Sequence, residues 1–181
     1  MAALVFLITT AFDLLALVFI LRFLLYAVRA EFHNPLSQFV YRVTNPVIAP
    51  LRKVIPNVGG MELATVLAVI VIEAVSLVVV YTVLRGIPLP VSGVLLGAVL
   101  GAVLSTLRCL VLVLIVNALL SWAPGMAAHP AARLLGQIAD PVLRPIRSVL
   151  PLVAGIDLSP LVAIIALQAI TIQLEQIRLL G

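Results

Sequence analysis

Long apolar stretches alternate with short segments that carry the prolines and most of the arginines. Four stretches are long enough to cross about 30 Å of hydrocarbon as a helix rising about 1.5 Å per residue. They run Leu4–Val28, Leu63–Leu84, Leu95–Trp122 and Leu158–Leu180, with apolar residues from Ile87 onward extending the approach to the third. No segment shows the period-two alternation of a barrel strand. The pattern predicts an all-α membrane protein with four transmembrane helices.

The connecting segments repeat. Pro35, Pro46, Pro50 and Pro56 recur as Pro130, Pro141, Pro145 and Pro151, all displaced by the same 95 positions, as 46 to 141 shows. Arg52 and Arg147, Gly60 and Gly155, and Leu63 and Leu158 keep that offset. The chain therefore divides into two tandem units, 1–86 and 87–181. Each is a helix, a proline-punctuated link and a second helix. An even number of spans per unit makes the repeats parallel, with both links on one side.

Within the first link, Asn34 and Pro35 predict an N-cap and first helical residue. Leu36, Phe39, Val40 and Val43 follow as one apolar stripe, with Ser37, Gln38 and Arg42 facing the other way. In the second link His129 and Pro130 precede Leu134, Leu135 and Ile138, with Arg133 and Gln137 opposite. Each link reads as a short amphipathic helix in the headgroup plane. It should turn at Asn45–Pro46 or Asp140–Pro141, because the residue before a proline avoids the α region.

Composition agrees with a lipid-solvated surface: 64% of residues are hydrophobic, 10% are charged, and mean hydropathy is +1.32. The net charge of +4 does not point to nucleic acid, because the basic residues gather in the links. Arg29, Arg42, Arg52 and Lys53 lie in the first, and Arg133, Arg144 and Arg147 in the second. The middle loop has Arg85 and the C-terminal end Arg178. The positive-inside rule puts both links in the cytoplasm and both termini outside. Arg52, Lys53, Arg144 and Arg147 become candidate contacts for anionic headgroups or a partner protein. The N-terminal segment lacks a basic n-region and is too long for a signal-peptide core, so it reads as a retained span.

Several residues stand out inside the apolar stretches. Asp13, Glu73 and Arg108 are costly there, since a charge in the hydrocarbon needs a partner or a water path. Counted from the link ends, they reach similar depth. The expectation is that Arg108 faces the bundle interior and pairs with Glu73 or, as second choice, Asp13. Gly93, Gly97, Gly101 and Ser105 form a small-residue ladder for close helix packing, against another helix of the chain or a second protomer. Asp157, Ser159 and Pro160 read as a helix start, with Ser159 the N-cap and Asp157 at the positive end of the helix dipole. An ion or headgroup site there is the alternative to a simple cap. Cys109, the sole cysteine, and the two histidines, His33 and His129, form no metal-ligand spacing. Neither a hydrolase nor a phosphate-loop motif occurs. No cofactor, metal site or catalysis is expected.

The runs DPVLRPIRSVLP (Asp140–Pro151) and GIDLSPLV (Gly155–Val162), with LLSW (Leu119–Trp122) upstream, resemble the YggT family of bacterial inner-membrane proteins, also called YlmG, which has chloroplast relatives. The resemblance covers nearly the whole chain as two family units. The first unit departs from the pattern, with Tyr26-Ala27 in place of Ser-Trp and MELAT in place of IDLSP. The resemblance implies a multi-pass protein of the bacterial inner membrane. It also implies a role in cell division, in nucleoid or membrane organisation, or in osmotic tolerance. A non-enzymatic scaffold is the leading expectation, with a membrane-protein partner or a homo-oligomer. A small transporter or ion-homeostasis component using Asp13, Glu73 and Arg108 is the rival, and a lipid-acting enzyme comes last.

Overall fold

The computed structural model describes residues 2–122, 125, 129–150 and 157–180, without the side chains of Trp122 and of 177–180. Pro151, one of the repeated link prolines, lies outside the described residues. The chain is helical in the order α1 (Ala2–Ala27), α2 (Pro35–Leu51), α3 (Leu63–Leu77), α4 (Val91–Trp122), α5 (Pro130–Arg147) and α6 (Ser159–Leu180). A π-helical segment, Val78–Leu84, continues α3 where three valines follow one another. Four of these helices, α1, α3 with its π continuation, α4 and α6, are long and apolar enough to cross a membrane.

The third span begins at Val91 rather than Leu95. α4 is the hub, packing on α1, α3, α5 and α6, while α1 packs on α2 and α3. The main core is built from Phe19, Ile20 and Leu25 of α1, Val40 and Ile48 of α2, Ala64 and Val69 of α3, and Cys109 and Val113 of α4. A smaller cluster in the second unit joins Leu114, Ala139, Leu143 and Ala163.

The link helices start as expected. Asn34 Oδ1 accepts from the Leu36 N–H at 3.0 Å, and His129 Nδ1 accepts from the Ala131 N–H at 3.2 Å. They do not stop as expected. α2 runs through Pro46 and Pro50, and α5 through Pro141 and Pro145. A proline inside a helix removes one hydrogen bond and costs about 3 kcal/mol. All four prolines lie on the exposed side of their helices, and the carbonyls one turn earlier, which lose their partners, belong to that same face. On the opposite side Val40, Thr44 and Ile48 are buried on the bundle, and that burial keeps α2 helical past Pro46.

The apolar stripe of α2 is split in the same way. Val40 packs inward, but Leu36, Phe39 and Val43 are exposed, Phe39 at 61%. Ser37, expected to face away from the apolar side, is buried instead. In α5, Leu134 and Ile138 are buried against the protein. The two links also touch: the Asn34 side-chain amide donates to the Pro130 carbonyl at 2.7 Å.

The small-residue ladder is used within the chain. A Cβ on Gly97 would lie 2.9 Å from Leu77 Cδ1, and one on Gly101 would lie 2.6 Å from Glu73 Oε2. Ser105 Oγ donates to Glu73 Oε1 at 2.6 Å. Gly97, Gly101 and Ser105 thus seat α3 on α4. Gly93, at the start of α4, approaches only Pro90 among the neighbours of its absent Cβ.

Candidate functional site

The most deeply buried charges are not those singled out by depth. Arg22, on α1, has no exposed surface, and neither has Glu62, just before α3. Arg22 Nε and Nη2 donate to the two Glu62 oxygens at 2.7 and 2.9 Å, a bidentate pair, and Nη1 donates to Thr44 Oγ1 at 2.9 Å. Arg52 Nε lies 2.9 Å from Glu62 Oε1 on the other side. Thr65 Oγ1 also donates to Glu62, and the Tyr41 ring lies 4.8 Å from the Arg22 guanidinium carbon. Glu62 reaches this position through a tight turn in which Gly59 and Gly60 have φ of +60° and +79° and Val58 pairs with Met61. Burial pushes the Glu62 carboxyl up, but hydrogen bonds from Arg22 and Thr65 and the charges of Arg22 and Arg52 outweigh it. They hold it below the usual carboxylate range.

The second unit keeps the outer half of this arrangement and lacks the inner half. Asp157 stands at the repeat position of Glu62, and Arg147 at that of Arg52. Arg147 Nε lies 2.9 Å from Asp157 Oδ2, the same separation as Arg52–Glu62. Asn117, Gly136, Ala139 and Pro160 replace Arg22, Tyr41, Thr44 and Thr65. A polar cavity of about 510 Å³ opens there, lined by Asn117 and Ser121 of α4, by Arg133, Gly136, Gln137, Asp140, Leu143 and Arg147 of α5, and by Glu31.

The helix start after Asp157 differs from the expectation. Asp157 Oδ1, not Ser159, accepts the first free N–H, that of Ser159, at 2.9 Å. Ser159 is the first residue of α6 and its hydroxyl is buried without a partner among the described residues. Pro160 follows as the second. Burial pushes the Asp157 carboxyl up, but the Ser159 N–H and Arg147 outweigh it and lower its pKa.

The expected Arg108–Glu73 pair does not form. Arg108 Nη2 lies 2.6 Å from Glu175 Oε1 on α6, with both side chains substantially exposed. Glu73 is buried and bonds Ser105. Asp13, also exposed, shares with Arg108 a cavity of about 230 Å³ whose walls include Thr10, Ser105 and Cys109. Equal depth did not imply facing side chains, because position around each helix decides contact.

Of the four basic residues assigned to headgroups, three already have carboxylates. Arg52 has Glu62, Arg144 has Asp140 at 2.6 Å, and Arg147 has both Asp140 and Asp157. Lys53 is exposed and without an ion pair among the described residues. Pro56 follows in the same exposed segment. The described residues hold no cluster of metal-ligating side chains.

The Arg22 site had two legible signals. Arg22 is a charge inside the first apolar stretch, and Glu62 and Asp157 are acids at one repeat position beside the repeated arginines Arg52 and Arg147. Nothing in the pattern joins the two, because they lie 40 residues apart on different elements.

These features define a four-span α-helical membrane protein of two tandem helix–link–helix units, each with an Arg–acid pair at the link end. The chain belongs to the CCB3/YggT family, whose profile matches residues 1–83 and again 96–178. It is 35% identical to the uncharacterized protein YggT of Escherichia coli K12 over 179 residues, 98% of this chain and 92% of that one. An uncharacterized protein from the proC 3' region of Vibrio alginolyticus is 40% identical over 165 residues, 90% of this chain and 88% of its own. An uncharacterized Pseudomonas aeruginosa protein is 36% identical over 169 residues, 93% and 86%. No solved structure matches the chain.

Proposed function

We propose that the protein is a non-enzymatic scaffold of the bacterial inner membrane, with its links on the cytoplasmic side and its termini in the periplasm. It holds a rigid link platform against the headgroups and presents that platform to a membrane-protein partner or a second copy. The observation that carries this reading is the outward face of α2. Leu36, Phe39, Val43 and Val47 stay exposed beside Arg42 and Lys53, while the inward face is anchored through Thr44 to the Arg22–Glu62 pair. An apolar stripe flanked by cations suits an interfacial helix. The seven basic link residues support the orientation.

A photo-crosslinker at Phe39 in native membranes tests the reading. Adducts to lipid and to a discrete protein band, a second copy included, support it, and adducts confined to helices of the same molecule refute it. For orientation, single cysteines at Ser92 and Lys53 in a Cys109→Ser background are probed with an impermeant thiol reagent on intact cells. Labelling at 92 and protection at 53 is the expected result.

The cavity shared by Asp13 and Arg108 favours a second reading, an ion-handling role in osmotic tolerance. Proteoliposome flux separates the two. Flux lost in Asp13→Asn or Glu73→Gln would support ion handling, and absence of flux in the wild type supports the scaffold.

A further inference from the structure

The cavity of the second unit lies where the first unit is filled. In the first, the Arg22 guanidinium and the Tyr41 ring occupy the space between the first span and the link helix. In the second, Asn117 and Gly136 stand at those positions, and about 510 Å³ is left open beside the last turns of α4 and along α5. The cavity lies at the link end of the bundle, the end that the proposed reading seats among the phosphates and amines of the bilayer surface.

The charges around the cavity are not all committed. Asp140 is bound by Arg144 and Arg147, and Arg147 also holds Asp157. Arg133 and Glu31 are both lining residues of the cavity, and neither side chain forms an ion pair among the described residues. The Glu31 main-chain N–H is fixed by Gln137 Oε1 at 3.2 Å, so the carboxylate is carried on an anchored backbone. A simple anion would satisfy Arg133 and be repelled by Glu31, and a simple cation would meet the reverse. A ligand carrying both charges a few atoms apart satisfies both.

We propose that this cavity binds the zwitterionic headgroup of an amine-bearing phospholipid. The phosphate lies toward Arg133, with Asn117, Ser121 and Gln137 as neutral partners, and the ammonium lies toward Glu31. The assignment rests on seating the links at the headgroup level and not on the scaffold role, so it stands or falls separately. In the first unit Arg22 and Tyr41 close the equivalent space, and binding there is excluded.

The test is native mass spectrometry of the full chain in detergent. The probes are phosphatidylethanolamine, phosphatidylglycerol and soluble glycerophosphoethanolamine. The wild type should retain the ethanolamine lipid about tenfold more than the glycerol lipid, with the soluble headgroup about a hundredfold weaker than the lipid. Gly136→Tyr, which copies Tyr41 into the cavity, should reduce retention about tenfold. Gly136→Ala should leave it unchanged, because its Cβ would meet Asn117 Oδ1 at an ordinary 3.6 Å. Arg133→Gln should weaken both lipids, and Glu31→Gln should erase the preference for the amine. Should Gly136→Tyr fail to fold, the exposed Arg133 and Glu31 variants carry the test. Equal retention of the two lipids, or an unchanged headgroup preference in Glu31→Gln, would overturn the proposal. Soluble headgroup binding as tight as the lipid would overturn the lipid source.

Discussion

The link ends of the two units began from one pattern and diverged in what fills them. In the first, Glu62 is shared among Arg22, Arg52 and Thr65, Thr44 joins through Arg22, and every buried polar atom of the pair has a partner. In the second, the outer pair Arg147–Asp157 survives at the same 2.9 Å, but the inner arginine is Asn117 and polar space opens. The larger core cluster holds residues of α1, α2 and α3 around the first site, and among the described residues the smaller one joins Leu114, Ala139, Leu143 and Ala163 in the second unit. A buried Arg–carboxylate pair tolerates neither half alone, so the first site ties α1, α2 and α3 together. The second lacks that tie and keeps the space open.

Breaking the first site should have the largest effect. Glu62→Gln or Arg22→Gln strands a buried partner, and each should cost about 3–5 kcal/mol in reversible unfolding in mixed micelles. Arg22→Gln with Glu62→Gln should cost less than the sum of the two single changes. Additive losses would mean that the pair is not coupled.

Acid should reproduce the loss without a mutation. A carboxyl whose pKa is lowered by folding contributes stability that is full above its unfolded value, about 4.3 for Glu. That stability disappears as pH falls through the lower folded value. Stability should therefore be level near neutrality and fall below about pH 4, and Glu62→Gln should flatten most of the fall. Asp157, also lowered by its surroundings, should leave a smaller residual slope that Asp157→Asn removes.

The helix contact beside the first site comes next. Gly101→Val puts a branched side chain where even a Cβ would meet Glu73, and overpacking of this kind costs about 1–3 kcal/mol. Crosslinking between cysteines placed on α3 and α4 should slow in parallel. No change in either readout would show that the ladder contact is not tight.

Building the missing half into the second unit sharpens the comparison from the other side. Asn117→Arg with Gly136→Tyr should close the cavity and raise stability by about 1 kcal/mol. Destabilisation would mean that Asp157, one methylene shorter than Glu62, does not reach the new guanidinium.

The smallest effect should come from Arg108→Gln. Its pair with Glu175 is half exposed, and such pairs contribute roughly 0.5–1 kcal/mol. A loss as large as that of Arg22→Gln would place Arg108 in a dry environment.

How much was legible differs between elements. The helix starts at Asn34 and His129 were readable because capping is local: a side-chain acceptor two residues before a free N–H, followed by proline. Their ends were not. The rule that proline ends a helix weighs only the chain, whereas burial of Thr44 and Ile48 against α1 and α3 decides whether α2 goes on. The charge cluster failed for a related reason. Depth along a helix follows from counting residues, but the direction of Arg108 around α4 depends on how α4 rolls against α3 and α6. That roll is set by Gly97 and Gly101 accepting Leu77 and Glu73.

By itself the sequence determined the class and the plan: four apolar spans, and two repeats that carry the link prolines and an arginine at one constant offset. These depend on hydropathy, on chain length against bilayer thickness and on internal repetition, none of which needs coordinates. Tertiary structure alone decided which charges meet, that Arg22 reaches Glu62 across 40 residues of chain, and that the equivalent place in the second unit is hollow. The physical reason is that a contact between distant segments depends on helix rotation and turn geometry at once. Substituting Asn117 and Gly136 changes the filling of a site while leaving the helical pattern around it untouched.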